Sequence, residues 1–456
     1  SAVAEDVHAE FDRGYFKFKS EDGNFQWKFD GRIMLDAKSI EKHEGDRLIS
    51  TNTDLRRARF AIKTRFYKDW GGEFDIDFKN NKTKVKDMWV SYDPFENATI
   101  KVGNHKPFFS MAEVTTSRWY PLMETSSISD FTAPGRAMGV SMSYWDRYYF
   151  VGASIFGEET SFNKEKEDLV DDEVADAFQD YMEDLTDAID DGDSLEDFIA
   201  DEGTWGDVKA DLEDEFEKFE KSQERTNYAA RAVVRPYLSD DLKTIVHLGA
   251  NVMRKSPSAV DLNEFKMRAE PHDVAFVYNK LKPSKFPVED INATSLELAA
   301  RWNKVYFQSE FINNTISYKD TGKYGVLPDT DVSGYYAEVS YFILGEGRPY
   351  NLHDGEFGAV IPKNGSELEV IVRYDTFDAN DGSCYKDCDD ADPTEWSTMN
   401  WGKMTNLTFG VNWYVNTNVI MRLNYSRIET DENAGNDKGI ANADINIAAA
   451  RLEFLF

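Results

Sequence analysis

The segment Leu55–Trp70 has two chemically opposed faces, and this constrains the fold more than any other stretch of the chain. Successive side chains of a β-strand point to opposite sides. One side here is apolar or small and the other is cationic: Ala58, Phe60, Ile62, Thr64 and Phe66 against Arg57, Arg59, Lys63 and Arg65. Four cations on one face are hard to bury in a soluble core without partners. The segment therefore predicts a strand with an apolar medium on one side and water on the other.

The next segment, Glu73–Phe78, carries the complementary pattern. Glu73, Asp75 and Asp77 alternate with apolar residues, directly after the turn 69–72. Cross-strand pairs of opposite charge contribute roughly 0.2–1 kcal/mol each. We therefore expect a hairpin with a charged stripe facing enclosed water and an apolar stripe facing lipid, which is the pattern of a membrane β-barrel wall.

Alternation of this kind recurs along the whole chain. Sixteen segments carry it: 25–37, 55–70, 73–78, 84–92, 99–105, 136–145, 148–156, 226–238, 242–253, 293–302, 304–316, 332–344, 367–377, 405–415, 419–428 and 444–456. Short turns alternate with long connections, except that 345–366 is long where a short turn is expected. The sequence thus predicts an all-β fold, a 16-stranded antiparallel transmembrane β-barrel.

One connection between two of these strands is unusually long. Residues 106–135 separate the strands 99–105 and 136–145, and they include Glu113, Thr116, Ser117 and Arg118. Loops of that length without strands of their own are usually functional in a compact domain. We expect this segment, the constriction loop, to fold into the lumen and narrow it.

The charge of the chain is concentrated in one insertion. The chain has 456 residues and a formal net charge of −32, and no run of about 18 apolar residues that would predict a transmembrane helix. Residues 158–220 hold 27 Asp and Glu against 4 Lys and Arg, a net −23, so the rest of the chain carries −32 − (−23) = −9. Apolar residues at helical spacing in this stretch predict an acidic α-helical extracellular loop insertion over 158–222. Strong acidity argues against nucleic acid as a partner.

The same features divide the chain into four parts. Residues 1–24 form an N-terminal arm, 25–157 hold barrel strands 1–7 with the constriction loop, 158–222 form the acidic insertion, and 223–456 hold strands 8–16. The beginning Ser-Ala-Val-Ala is compatible with a mature end left by signal-peptide cleavage.

Several short motifs resemble those of the phosphate- and pyrophosphate-selective outer-membrane porins. They include Gly31-Arg32, Tyr67-Lys68-Asp69-Trp70, Thr116-Ser117-Arg118-Trp119 and Gly410-Val411-Asn412-Trp413-Tyr414. The resemblance implies a water-filled channel in the outer membrane of a Gram-negative bacterium, assembled as a homotrimer and surrounded by outer-membrane lipid and lipopolysaccharide. It implies passive diffusion of ions and small hydrophilic solutes, without a cofactor.

In that family, lumen arginines and one loop lysine form a phosphate site at the constriction. The resemblance assigns family positions to Arg32, Arg56, Arg57, Asp87, Thr116 and Ser117. The position of the loop lysine holds Glu113 instead. A carboxylate near a narrow point repels anions by several kcal/mol at an effective dielectric constant of roughly 20. We therefore expect weak selectivity, or a preference for cations or zwitterions, and no strong phosphate selectivity.

Charged rings inside a pore set its ion selectivity, and the inward-facing charges are therefore the candidate functional residues. The predicted pore and constriction set is Arg32, Arg56, Arg57, Arg59, Lys63, Arg65, Asp87, Lys101, Glu113, Thr116, Ser117, Arg118, Arg231 and Arg373. Two simpler interpretations stay open: the cations form a solvated face of a sheet, and Glu113 is an ordinary loop acid tied to Arg118.

A second candidate site lies in the acidic loop after strand 13. Asp378, Asn380 and Asp381 precede a glycine in a pattern with some calcium-loop character, although the full spacing of a calcium-binding hand is missing. Cys384 and Cys388 follow and are expected to form a local disulfide in an oxidising compartment, the alternative being two inert thiols.

Two other functions are compatible with parts of the sequence. The acidic helical loop would be the working part of a surface, adhesion or partner-docking protein that the barrel merely anchors. A soluble β-rich enzyme is the third possibility, but no metal-binding, nucleophile or phosphate-binding catalytic motif is present in the sequence. We therefore expect no enzymatic activity.

Overall fold

A computed structural model describes most of the chain. The described residues are 7–12, 15–43, 49–79, 82–159, 181–182, 204–206, 226–256, 264–269, 274–280, 288–319, 328–363, 365–381, 400–434 and 441–456. The strands are β1 Val7–Asp12, β2 Tyr15–Ser20, β3 Phe25–His43, β4 Ile49–Phe66, β5 Trp70–Asp77, β6 Lys84–Phe95, β7 Ala98–His105, β8 Ala137–Trp145, β9 Tyr149–Glu159, β10 Asn227–Leu238, β11 Thr244–Lys255, β12 Glu264–Ala269, β13 Val274–Lys280, β14 Val288–Trp302, β15 Val305–Tyr318, β16 Thr330–Leu344, β17 Tyr350–Asn351, β18 Glu356–Phe357, β19 Glu367–Asn380, β20 Asn400–Tyr414, β21 Val419–Thr430 and β22 Asp444–Leu455. Two short helices are α1 Met111–Val114 and α2 Ser127–Thr132.

Sixteen of these strands form a closed antiparallel barrel. The wall runs from β3 to β11, then through β14, β15, β16, β19, β20 and β21 to β22. The last strand pairs with the first, from Asp444 opposite His43 to Leu455 opposite Arg32. Closure leaves no unpaired edge among the sixteen strands of the barrel wall, which a hydrocarbon environment requires. The prediction of a 16-stranded barrel is confirmed.

The two faces of the wall differ as the alternation predicts. In β8, Met138, Val140 and Met142 are exposed on the outer face, whereas Ser141 is buried on the inner face. The charged hairpin forms with the expected register, because Arg59 lies opposite Asp77 and Lys63 lies opposite Glu73. The apolar rows therefore face outward, and the charged rows face the lumen.

The strands are joined differently at the two ends of the barrel. At one end, the short-turn end, connections of two to five residues join strand pairs such as β8 to β9 and β14 to β15. The exception is the segment 345–366, which we call the inserted turn. In outer-membrane barrels the short turns are periplasmic and the long loops extracellular.

The inserted turn and the constriction loop both lie inside the barrel. The constriction loop contains α1 and α2, whose N-caps are Ser110 and Ser126; each hydroxyl accepts a backbone N–H bond from the first helical turn. Phe109 and Ile128 are fully buried in the lumen core. The inserted turn contributes β17 and β18, whose Tyr350 and Phe357 pack near Tyr306.

The N-terminal arm extends the sheet at the short-turn end. Strand β2 of the β1–β2 hairpin pairs with the start of β3, with Lys17 opposite Lys28. This part of β3 lies before Arg32, where the pairing of β3 with β22 ends. The last residue, Phe456, packs beside this hairpin. Its ring lies over Gly31, and any Cβ at position 31 would collide with the ring. Gly31 and Phe456 also exchange backbone hydrogen bonds.

Two sequence predictions fall outside the described residues. Of the acidic insertion, the structure describes only short pieces, in which Tyr181, Met182, Trp205 and Gly206 are helical. The predicted Cys384–Cys388 disulfide lies wholly outside the described residues. Within the described ranges, no helix is both long enough and apolar enough to cross a membrane.

A charge on the outer face tests this orientation. Leu298 is exposed on the outer face of β14, in the apolar row between Leu296 and Trp302, and the Leu298→Arg variant is expected to destabilise the barrel by about 2–4 kcal/mol because a cation would lie in hydrocarbon. Asn292 lies on the same outer face about 20 Å along the strand, and Asn292→Arg is expected to cost about 1 kcal/mol or less. The measurement is denaturant unfolding in lipid vesicles. Equal costs for both variants would contradict the outward orientation of this row.

Candidate pore constriction

The constriction loop is held against the far wall by four buried arginines. Each guanidinium donates to a backbone carbonyl of the loop: Arg348 to Trp119 (2.8 Å), Arg422 to Tyr120 (2.7 Å), Arg451 to Met123 (2.5 Å) and Arg373 to Glu124 (2.9 Å). Three of them also pair with acids of the wall, namely Arg348 with Glu369, Arg422 with Glu453 and Arg451 with Asp36. Because a guanidinium has five donors in a fixed fork, one side chain satisfies both partners. The loop is therefore anchored from Trp119 to Glu124.

Glu124 ties the loop to three arginines at once. Its carboxylate accepts from Arg56 Nε (2.8 Å), Arg57 Nη2 (3.0 Å) and Arg451 Nη2 (2.7 Å). All four side chains are largely buried. A carboxylate of the protein itself thus occupies the cationic cradle that Arg56 and Arg57 help to form.

The inserted turn lies in the lumen beside the constriction loop and is held in a similar way. Arg231 donates to the carbonyl of Gly355 (2.7 Å), and Arg235 donates to that of Leu352 (2.8 Å). Arg231 also forms a bidentate pair with Glu297, with both N–O distances at 2.9 Å. The only sequence signal of this second insertion was the unusual length of 345–366.

An open cavity of about 480 Å³ remains between these segments and the wall of β3 to β7. Its lining carries charges of both signs. The cations are Lys17, Lys28, Arg32, Lys63, Lys101, Lys106, Arg118, Arg136 and Arg348, and the acids are Asp30, Glu73, Asp75, Asp87, Asp354 and Glu356.

The predicted pore residues divide into two groups. Those that line the cavity are Arg32, Lys63, Asp87, Lys101, Thr116 and Arg118. Those placed elsewhere, within the described part of the chain, are Arg56, Arg57, Arg59, Arg65, Glu113, Ser117, Arg231 and Arg373. Of the second group, Arg59 pairs with Asp77 (2.9 Å), and the half-exposed Arg65 pairs with Asp93 (2.6 Å).

Lys106 is a lining residue that the sequence analysis missed. Its Nζ lies 3.5 Å from Glu113 Oε1 and donates to the Glu113 carbonyl at 2.5 Å. Both side chains are mostly buried, so the Glu113 carboxylate compensates a lysine instead of standing alone at the constriction. The available signal was a lysine directly after β7, seven residues before Glu113.

Two lining groups outside the membrane-spanning strands have pKa values near 8. Burial lowers the pKa of Lys106 to about 8, although the Glu113 carboxylate opposes the shift. Burial raises the pKa of Glu356, in the inserted turn, to about 8, and the neighbouring Asp354 carboxylate adds to it. Both groups therefore change charge in the same pH interval.

The residues of the predicted calcium loop bond to the protein itself. Asp378 Oδ2 lies 2.9 Å from Lys403 Nζ, Asn380 Nδ2 donates to Asp431 (2.5 Å), and Asp381 accepts from the Asp331 N–H (3.0 Å). The acids further along the loop lie outside the described residues. Calcium binding here stays a prediction.

Comparison with known proteins places the chain in a family. The family model of phosphate-selective porins O and P matches residues 27–181 and 214–456. Porin O of Pseudomonas aeruginosa is 25% identical over 461 residues, covering 94% of this chain and 89% of that protein. An uncharacterised protein of Caulobacter vibrioides is 24% identical over 461 residues, covering 97% of this chain and 76% of that protein.

A solved structure has the same architecture. The outer-membrane channel DcaP of Acinetobacter baumannii matches with a TM-score of 0.50 and 9% identity, over 96% of this chain and 99% of that one. With the closed barrel, the anchored constriction loop and the charged cavity, these matches lead to one conclusion. The chain belongs to the phosphate-selective porin O and P family, and it forms a channel for passive diffusion across the bacterial outer membrane.

Proposed function

We propose that this porin is a weakly selective channel for small ions and zwitterions and not a high-affinity phosphate pore. The observation that carries the proposal is the pairing of the lumen cations with carboxylates of the protein. Arg136 lies 2.9 Å from Asp87, and Lys63 lies 3.1 Å from Glu73. Arg118 forms a close ion pair with Asp30.

Tight phosphate binding would have to displace these internal carboxylates. Removing one partner of a buried ion pair costs about 3–5 kcal/mol because the other charge is left uncompensated. Glu124 acts in this way on two arginines, since Arg56 and Arg57 already donate to it. Two of the three arginines that the family resemblance assigns to the phosphate site are therefore held by the protein's own acid, and the third, Arg32, lines the cavity.

The remaining lining supports passage of both ion signs. Nine cations and six acids line a cavity of about 480 Å³. A solute therefore meets charges of both signs, with a modest excess of positive charge. Sieving by the loop and electrostatics of the lining act together. We further propose, from family membership, that the channel works as a homotrimer embedded in outer-membrane lipid and lipopolysaccharide, without catalysis.

Planar-bilayer recording tests the proposal directly. The reversal potential of the purified protein in a tenfold KCl gradient is expected to be small, with permeability ratios between K⁺ and Cl⁻ within roughly threefold. Phosphate at millimolar concentration is expected to leave the chloride current nearly unchanged. A strongly anion-selective potential, or block by micromolar phosphate, would overturn the proposal.

A charge reversal at Glu113 is expected to move the selectivity toward anions. Glu113→Lys removes the acid that compensates Lys106 and adds a second cation beside it. The permeability ratio of Cl⁻ to K⁺ is expected to rise roughly threefold to tenfold, as about 1 kcal/mol of added electrostatic energy would produce. The matched control is Glu96→Lys, in an exposed turn outside the lumen, which should leave the reversal potential unchanged. An unmoved potential in Glu113→Lys would remove this residue from the filter.

The selectivity is also expected to depend on pH. As the pH rises from 6 to 9, Glu356 loses its proton and becomes negative, and Lys106 loses its positive charge, because both pKa values lie at about 8. Both changes make the lumen more negative, so the reversal potential should move toward the cation-selective side. The Glu356→Gln variant is expected to show a smaller shift. A movement toward anions over this interval would contradict the assignment.

A further inference from the structure

Three carboxylates converge on the wall of the cavity. Glu73 and Asp75 of β5 and Asp87 of β6 have ligand atoms that all lie within 4.8 Å of one another. All three residues line the cavity. The pairing of β5 with β6 shifts register between Phe74 and Ile76, and such irregularities re-aim side chains. The irregularity occurs at Asp75, and we call the three acids the carboxylate triad.

One oxygen of the triad has an unused hydrogen-bonding capacity. The Asp75 side chain is 4% exposed, and its Oδ1 has no hydrogen-bond partner among the described residues. Its Oδ2 lies 3.7 Å from Arg32 Nη2 and 3.9 Å from Arg59 Nη1, which are ion-pair distances too long for hydrogen bonds. A buried acceptor of this kind is costly unless a donor reaches it. Because Asp75 lines the cavity, a donor group within the cavity is the one placed to satisfy this oxygen.

The charged side chains next to the carboxylate triad determine which kind of hydrogen-bond donor it favours. Glu73 pairs with Lys63 and Asp87 pairs with Arg136, so the triad is already balanced by neighbouring cations. A divalent metal ion would bring two further positive charges to this wall and compete with those side chains for the same oxygens. A primary ammonium group brings one charge and three N–H donors, and in a zwitterion its charge is cancelled within the solute.

The same cavity holds partners for the anionic half of a zwitterion. Arg32 and Lys101 line it on β3 and β7, which lie on either side of the triad strands β5 and β6, and Lys101 lies over the Trp89 ring at 4.5 Å from its centroid. We propose that the carboxylate triad binds the ammonium group of small zwitterionic solutes of the amino-acid class, while Arg32 and Lys101 hold the solute carboxylate. The inference rests on the weak selectivity proposed above and names the solute class that this lining favours.

Swelling of proteoliposomes tests the proposal with two probes of nearly equal size. The probes are alanine as zwitterion and lactamide as neutral solute. We expect the alanine flux, relative to lactamide, to fall by roughly threefold or more in Asp75→Asn and in Glu73→Gln, as loss of about 0.7 kcal/mol would produce. Lactamide flux should stay unchanged, which also shows that each variant still forms a channel.

A matched control separates the triad from a general loss of negative charge. Asp77 lies on the inner face of β5, two residues from Asp75, and pairs with Arg59. It is absent from the cavity lining within the described residues. Asp77→Asn should therefore keep the wild-type ratio of alanine to lactamide flux. An equal fall in Asp77→Asn, or no fall in either triad variant, would overturn the proposal.

Two measurements on the unaltered protein complete the test. Alanine should reduce single-channel KCl conductance with saturation, whereas lactamide at equal concentration should not; equal behaviour of the two solutes would refute the subsite. Millimolar Ca²⁺ should leave the alanine effect intact, and abolition of that effect by Ca²⁺ would mean that the triad is a metal site.

The reversal potential distinguishes the two proposals. A strongly anion-selective channel refutes the proposed function, whereas a weakly selective channel without an alanine effect refutes only this inference.

Discussion

The pairing of β22 with β3 is the interaction on which the rest of the structure depends. Hydrocarbon offers backbone groups no water to bond, and each unpaired group costs several kcal/mol there. Closing the barrel wall from Asp444 opposite His43 to Leu455 opposite Arg32 removes the last free edge of that wall. Closure also separates the two faces of every strand, so the apolar rows meet lipid and the charged rows are enclosed. A barrel of this strand number is too wide for side chains alone to fill.

Backbone segments fill the lumen instead, and they bring carbonyl groups that need donors. Arginine supplies these donors, because its rigid fork bonds a carbonyl while another edge pairs with a carboxylate. Arg422 does so with Tyr120 and Glu453, and Arg231 does so with Gly355 and Glu297. Much of the charge inside this barrel is therefore structural. The solute pathway is left with the smaller set of charges that face the open cavity.

This division explains how a member of a phosphate-selective family comes to have a balanced lining. The cations that anchor the loops are satisfied within the protein, and Glu124 occupies the guanidinium cradle of Arg56 and Arg57. Several of the cations that do face the cavity pair with acids, as Lys106 does with Glu113. The proposed preference for molecules that carry both signs, over a lone anion, rests on this pairing.

The sequence by itself determined the barrel, the number of strands and the face that each side chain takes, because a period of two is a local property of the strand. It did not determine which inward charges meet water. Arg57 and Lys63 share one face of β4, yet Lys63 lines the cavity whereas Arg57 lies under the constriction loop, bonded to Glu124. That difference is set by the path of a segment 67 residues away in the chain. Only the tertiary structure decided it, since ion-pair partners inside a lumen depend on where the folded-in segments run and not on the alternation that built the wall.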